Sequence, residues 1–155
     1  MRNIFLLGLV ATMTVMASLT TFSNATAGTL EQLQWKKRVV LLFAKSRSTA
    51  GLDQQTDILR SVRPEMRERD LIVLRTTGIE ETRSAIGYTS IQRGTSRELR
   101  DKFKPVGSGM TVILVGKDGT EKGRWQRVVQ PREFFELIDA MPMRKREIEE
   151  QSATN

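Results

Sequence analysis

The chain has 155 residues and a formal net charge of +7 at pH 7, and it contains neither cysteine nor histidine. These two absences exclude thiol redox chemistry, cysteine nucleophiles, Ser-His-Asp triads, imidazole bases and the ordinary zinc site. The basic excess favours anionic partners such as lipid headgroups, polysaccharides or acidic proteins, although the mixed charges also suit an ordinary solvated surface.

The first 27 residues have the three-part plan of a secretory signal peptide. Arg2 supplies the positive start, residues 4–17 are apolar, and Ala25-Thr26-Ala27 is an A-x-A cleavage site. The apolar stretch is shorter than the roughly 20 residues that a bilayer span needs. We therefore predict cleavage after Ala27 and export to the periplasm or beyond it. The mature chain would have no transmembrane span, and its location argues against nucleic acid as a partner.

Three continuous apolar runs, over residues 39–44, 71–74 and 110–115, predict strands that are covered on both faces. Apolar residues at helical spacing lie between the first two runs, and Pro64 should kink or split that helix. A strand, a helix and a second strand in this order predict a right-handed parallel βαβ unit.

The remaining elements follow from capping and turn residues. Ser96 predicts the N-cap of a short helix, and Asp118-Gly119 predicts a hairpin into a return strand over residues 120–129. Pro131 suits the first position of a last helix, which we predict to end at Pro142. The order β-α-β-α-β-β-α indicates an α/β three-layer sandwich with a mixed central sheet. Its domain covers residues 28–144, and the charged tail 145–155 is either helical or disordered.

This order resembles the thioredoxin fold over roughly Trp35 to Met141. The resemblance implies a Cys-x-x-Cys motif at the start of the first central helix and a cis-proline before the next-to-last strand. Here the cysteine positions fall near Arg47 and Ala50, and Met110 takes the place of the proline. The resemblance therefore implies a thioredoxin-like scaffold without thiol chemistry.

A closer resemblance rests on four segments together: residues 35–38 (W-K-K-R), 68–71 (E-R-D-L), 116–119 (G-K-D-G) and 138–144 (I-D-A-M-P-M-R). The chain resembles the DUF4174 family in these segments. That resemblance implies a thioredoxin- or peroxiredoxin-like fold and export in bacteria, with related domains in animal matrix proteins. It implies no cofactor and no established reaction.

Two edges of the predicted domain carry candidate binding residues. Arg47 and Ser48 precede a helix N-terminus, where free N–H groups favour anions, and Met110 lies across from them. The alternative is a solvated capping loop. At the other edge, Lys117 and Asp118 present a cation and a carboxylate, or else only turn chemistry.

The closing corner of the domain has the most unusual local composition in the chain. Met141 and Met143 offer an adaptable apolar patch, as suits a protein partner, and the charged residues around it are Asp139, Arg144, Arg146 and Glu147. The alternative is a helix stop that an Asp139–Arg144 pair fixes in place. Trp35 and Trp125 are interpreted as packing residues, and the basic residues between 93 and 104 as a solvated face.

Two functional hypotheses follow from these residues. The first is a non-catalytic binding module that grips a protein or an anionic envelope component. The second is an enzyme that uses carboxylate and arginine chemistry, which would need two acids of different pKa in one pocket. No metal or cofactor is expected, and the sequence leaves the oligomeric state undecided.

Overall fold

The computed structural model describes residues 28–79, 81–87, 89 and 91–154, so the predicted signal peptide lies outside the described residues. The elements in chain order are α1 (Thr29–Leu33), β1 (Arg38–Ala44), α2 (Leu52–Ser61), α3 (Arg63–Glu68), β2 (Leu71–Thr77), β3 (Glu81–Ile86), α4 (Thr95–Phe103), β4 (Thr111–Val115), β5 (Glu121–Trp125), α5 (Pro131–Asp139) and α6 (Pro142–Thr154). Within these described ranges, no helix is long and apolar enough to cross a bilayer.

The five strands form one mixed sheet in the order β3-β2-β1-β4-β5. β1 pairs in parallel with β2, and the other pairs are antiparallel. β1 is buried along its whole length because strands flank it on both sides and helices cover both faces. Its uninterrupted apolar sequence follows from that position. The predicted α/β class and mixed central sheet are confirmed.

Alternate side chains of the central strands enter two separate cores. Val40, Leu42 and Val73 pack on one face, against α2, α3 and α5. Val39, Leu41 and Leu74 pack on the other face, against α1 and α4. The three layers predicted from the sequence therefore correspond to two helical layers around the sheet.

Three prolines, Pro64, Pro131 and Pro142, lie in the first turns of helices. Pro64 splits the first central helix as predicted, since α2 ends at Ser61 and Pro64 lies in the first turn of α3. Pro131 opens α5 as predicted. α5 ends at Asp139, just before Pro142 as predicted, but it is not the last helix, because Pro142 begins α6, which carries the charged tail as a helix. A proline in a first turn removes no helical hydrogen bond.

Other differences arise where apolar periodicity is weak. α1 and β3 were not predicted, since α1 has five residues and β3 is a polar edge strand (E-T-R-S-A-I). The return strand is shorter than expected and spans only Glu121–Trp125. Ser96 is not the cap of α4, because the helix begins one residue earlier and Gly94, with φ of 83°, precedes it.

Truncation of a core aromatic should show how much α5 contributes to stability. Phe134 is fully buried and meets Trp125 edge-to-face, with 5.2 Å between ring centroids. Phe134→Ala should lower the free energy of unfolding by about 3–5 kcal/mol through lost transfer energy and a cavity. Leu137→Ala on the same helix, where the side chain is 40% exposed, is the control and should cost less than about 1 kcal/mol. Equal losses in urea unfolding would contradict the packing described here.

Candidate functional site

Charged side chains collect at the end of the sheet where β1 and β2 begin and β4 ends, which we call the base. Arg38 is the first residue of β1, Asp70 precedes β2, and Lys117 follows β4. Their positions on neighbouring strands bring them together under α6, which supplies Glu147. We call these four side chains the base network.

The base network is held by short contacts. The Lys117 ammonium donates to Asp70 Oδ2 at 2.9 Å and to Glu147 Oε1 at 2.7 Å. The Arg38 guanidinium donates to both Glu147 oxygens, at 3.0 and 3.1 Å, and to the Arg69 carbonyl at 2.9 Å. Arg38 is only 1% exposed and Lys117 only 9%. Both cations are therefore held in place by their partners in the network.

The acids of the base network are ionised at neutral pH. Burial alone would raise the pKa of Glu147, but hydrogen bonds from Arg38 and Lys117 outweigh it and lower the pKa below its usual value. The pKa of Asp70 is lowered in the same way, with Lys37 and Lys117 as the donors. Both shifts have the same direction, so the two acids are not divided into an acid and a base.

The predicted corner residues separate into two roles. Arg144 is buried, and its guanidinium donates to the Glu68 carbonyl at 2.8 Å and to Asp139 Oδ1 at 3.4 Å. Asp139 also accepts hydrogen bonds from Arg69, the shortest at 2.6 Å. The alternative hypothesis of an Asp139–Arg144 pair that fixes the corner therefore describes these two residues. Arg144 cannot form the basic rim of a binding surface, because it is buried.

Met141 and Met143 instead line a cavity of about 380 Å³ beside the base network. Its other wall comes from the β4–β5 hairpin and from Trp35, which lies just beyond the end of α1. We call this cavity the corner groove. Two cations of the base network are among its lining residues, which are Trp35, Arg38, Gly116, Lys117, Asp118, Lys122, Met141, Pro142, Met143 and Arg146. The predicted edge that carries Asp118 and the predicted corner that carries the two methionines thus meet in one site.

Trp35 is an exposed aromatic residue of the corner groove. Its side chain is 61% exposed, and its backbone has φ of 65°, in the left-handed region. The Trp35 N–H donates to the Lys117 carbonyl at 2.6 Å, which ties the end of α1 to the hairpin. The packing role predicted for Trp35 is wrong, whereas Trp125 does pack in the core beside Phe134.

Asp118 shapes the hairpin that forms one wall of the groove. Its Oδ1 accepts the Thr120 N–H at 3.1 Å, and its Oδ2 accepts from the Lys122 ammonium at 2.7 Å. Gly119 follows with φ of 75°, a conformation that suits glycine. Burial would raise the pKa of Asp118, but these hydrogen bonds lower it. The interpretation of Asp118-Gly119 as a turn is therefore correct, and the turn also presents Lys122 to the groove.

The opposite end of the sheet, which we call the upper end, places its predicted residues apart. Arg47 is exposed and donates to both oxygens of Glu81, at 3.1 and 2.6 Å, while Ser48 bonds the Ser46 hydroxyl. α2 begins after Gly51, not at these hydroxyls. Met110 is not a surface residue beside Arg47 and Ser48, as the sequence predicted. It is 5% exposed and belongs to the core, where it packs near Gly51. The three residues do not form one ligand site.

The arrangement of the acidic side chains bears on the enzyme hypothesis. Among the described residues, no group of three of them could hold a metal ion. The close acids of the base network share a lysine, and their pKa values fall together. The carboxylate enzyme hypothesis requires acids whose pKa values are driven apart, which this arrangement does not provide.

Comparison with protein families gives a match over residues 29–147 to DUF4174, described as a domain of unknown function. The chain belongs to the DUF4174 family. The match spans every element from α1 to the first turns of α6, including the base network and the corner groove. A comparison with curated proteins found no match.

Two solved structures are similar to this chain. A reduced 2-Cys peroxiredoxin from Plasmodium vivax matches with a TM-score of 0.51 at 13% identity, over 74% of this chain and 70% of that one. A protein described as Trgpx in its apo form matches with a TM-score of 0.44 at 19% identity, over 69% and 80%. The first likeness shows a thioredoxin-like fold for this DUF4174 domain and nothing about its reaction.

Sequence reasoning missed Arg38 and Lys122, and it named Arg146 and Glu147 only for the unusual composition of the corner. Arg38 and Glu147 are 109 positions apart, and only the folded sheet and α6 bring them together. Arg146 replaces Arg144 as the basic side chain at the groove.

Loss of Glu147 should expose the energetic role of the base network in this DUF4174 domain. Glu147→Gln leaves the buried Arg38 without its carboxylate, so unfolding free energy should fall by about 3 kcal/mol at pH 7. Glu149→Gln, an exposed position on the same helix, is the matched control and should change stability little.

The base network should also make the free energy of unfolding fall as the pH is lowered into the acid range. Because folding lowers the pKa of Asp70 and of Glu147, their contribution is fully present above the unfolded pKa values, near 4. It disappears as pH falls through the folded values. Urea unfolding between pH 7 and pH 2 should show this loss in the natural protein and a smaller loss in Glu147→Gln. An identical pH profile in both proteins would contradict the assignment.

Proposed function

We propose that this DUF4174 domain is a non-catalytic binding module that docks a protein segment in the corner groove. The absence of cysteine and histidine supports a binding role, because the usual chemistry of its structural neighbours has no side chains to perform it. The mainly apolar groove of about 380 Å³ supports docking, since it has the size of a small ligand or anchor-residue site.

Trp35 is the observation that carries this proposal. A tryptophan that is 61% exposed gains little from burial. A left-handed backbone also disfavours it relative to glycine, at a cost of roughly 1–2 kcal/mol. Neither burial nor backbone conformation therefore explains why a tryptophan occupies this position. Exposed aromatic side chains beside adaptable methionines are typical of the anchoring centre of a protein interface.

The charges around the groove favour an acidic partner. Lys122 and Arg146 flank its apolar walls, and Asp118 is already paired with Lys122. The net charge of +7 extends the same preference over longer range. The partner should therefore present a bulky apolar side chain next to Asp or Glu residues.

Trp35→Gly should separate binding from folding. Glycine relieves the left-handed strain, so the free energy of unfolding should stay within about 1 kcal/mol of the natural protein. Peptides with an acidic–apolar motif, selected from a displayed random library on the natural protein, should lose at least about tenfold in affinity. Ile79→Ala, which removes an exposed apolar side chain at 71% exposure elsewhere, is the control and should bind normally.

Intrinsic fluorescence gives a second measurement of the same prediction. The chain has two tryptophans, so a Trp125→Phe variant reports on Trp35 alone. Peptide binding should shift the Trp35 emission to shorter wavelength as water leaves the ring. Selected peptides without an acidic–apolar motif, or an unshifted emission at saturation, would refute docking at the corner groove.

We also propose that the domain is exported after removal of residues 1–27. The surroundings of Gly28 support this position of cleavage. The Gly28 N–H donates to Glu31 Oε2 at 3.1 Å, and a Cβ atom at Gly28 would lie 2.7 Å from the Glu98 carboxylate oxygens. Burial and the nearby Glu31 raise the pKa of Glu98. A free ammonium at Gly28 would supply the cation that this pair of acids needs.

Cleavage can be measured directly. The full 155-residue chain expressed in a bacterial host should be recovered from the periplasm or medium with an intact mass that starts at Gly28. The control is a chain with Ala25→Arg and Ala27→Arg, which lacks the small residues of the cleavage site and should stay as the precursor. An exported natural chain that retains residues 1–27 would overturn this proposal.

A further inference from the structure

A second cavity, of about 340 Å³, lies between α2 and the edge strand β3. Four guanidinium groups line it, each from a different segment: Arg47 after β1, Arg60 on α2, Arg75 on β2 and Arg83 on β3. We call this cavity the arginine groove. It shares no residue with the corner groove, so its role is independent of protein docking.

The arginine groove contains fewer carboxylates than guanidinium groups. Glu81 is the acid among its lining residues, and it is shared, because both Arg47 and Arg83 form ion pairs with it. Hydrogen bonding from Arg47 lowers the pKa of Glu81 to about 2, so Glu81 stays ionised and competes with any bound anion at neutral pH.

The remaining two arginines are paired from outside the groove. Arg75 contacts Asp53 at 3.0 Å, and Arg60 pairs with Asp57 on α2. These aspartate side chains are 75% and 68% exposed. Such solvated pairs contribute about 0–1 kcal/mol each, so a ligand with several charged oxygens can replace them at little cost.

Arg75 is the most enclosed of the four, with 23% of its side chain exposed, and it comes from a rigid central strand. Guanidinium groups bind phosphate oxygens in pairs of parallel hydrogen bonds, and several converging groups can hold one doubly charged anion. Thr56, Thr77 and Ser84 also line the groove, but their hydroxyl groups already donate to protein acceptors, so the guanidinium groups are the donors for a ligand.

We propose that the arginine groove binds a phosphate-bearing ligand with at least two negative charges. Free phosphate, pyrophosphate and a phosphate monoester on a larger molecule share this chemistry. The Arg75 guanidinium provides the central contact, and Arg47 and Arg83 turn from Glu81 to the ligand when it enters.

Titration calorimetry of the purified protein with pyrophosphate tests the site through two opposite changes. Arg75→Gln should weaken binding about tenfold or more, the range for one charge-assisted hydrogen bond. Glu81→Gln should strengthen binding several-fold, because it releases Arg47 and Arg83 from their shared carboxylate. Thermal unfolding of each variant establishes that it is folded.

The matched control is Arg132→Gln, which changes net charge by the same amount on the exposed face of α5, where 86% of the side chain is exposed. Its affinity for pyrophosphate should equal that of the natural protein. An equal loss in Arg132→Gln and Arg75→Gln, weaker binding in Glu81→Gln, or no binding by the natural protein would each overturn the proposal.

Two further probes identify the source of the phosphate. Inorganic phosphate tests the free anion, and phosphatidylcholine vesicles that contain phosphatidic acid test a lipid headgroup. Arg75-dependent binding to either probe supports the site and names its source. Vesicle binding that survives Arg75→Gln unchanged would place lipid attraction elsewhere on the basic surface and would exclude the headgroup as this groove's ligand.

Discussion

The buried ion pair between Arg38 and Glu147 is the contact on which the base of this domain depends. Arg38 begins the central strand and is nearly inaccessible, so its charge is removed from water at a cost of several kcal/mol. Both Glu147 oxygens and a backbone carbonyl offset that cost, although the Arg38 Nε has no acceptor among the described residues. The pair fixes α6 against the sheet, and α6 carries one wall of the corner groove. The same ion pair therefore contributes to the stability of the base and to the shape of the groove.

The fold offers ligand positions at two ends, and the two proposed sites use them differently. Open α/β sheets commonly bind ligands beyond the carboxyl ends of their parallel strands. The arginine groove lies toward that end, where Arg75 and Thr77 approach the end of β2. The corner groove lies at the other end, where a hairpin and two helix termini meet over a dense ion network. Its apolar walls stay open because the charges beneath them are already paired with one another.

Continuous apolar runs made the three inner strands predictable, because a strand covered on both faces needs them. β3 escaped prediction, and the sequence left open whether the segment that forms α6 is helical or disordered. β3 is a polar edge strand with one buried residue at its end, and α6 has a charged sequence whose buried face consists of Arg144 and its neighbours. The methionine corner was predicted from composition, but the roles of Trp35 and Arg144 were exchanged. No local pattern indicates that an arginine will be buried by partners 76 and 5 positions away.

Ion pairs at both ends of the sheet keep their carboxylates ionised. General acid–base catalysis needs a group whose pKa lies near the working pH. In the base network, hydrogen bonds from lysine and arginine move the pKa of Asp70 and of Glu147 away from neutrality. At the upper end, Arg47 does the same to Glu81. Fixed positive charges that hold carboxylates ionised stabilise a structure and attract anions, and they leave those carboxylates poor proton donors at pH 7.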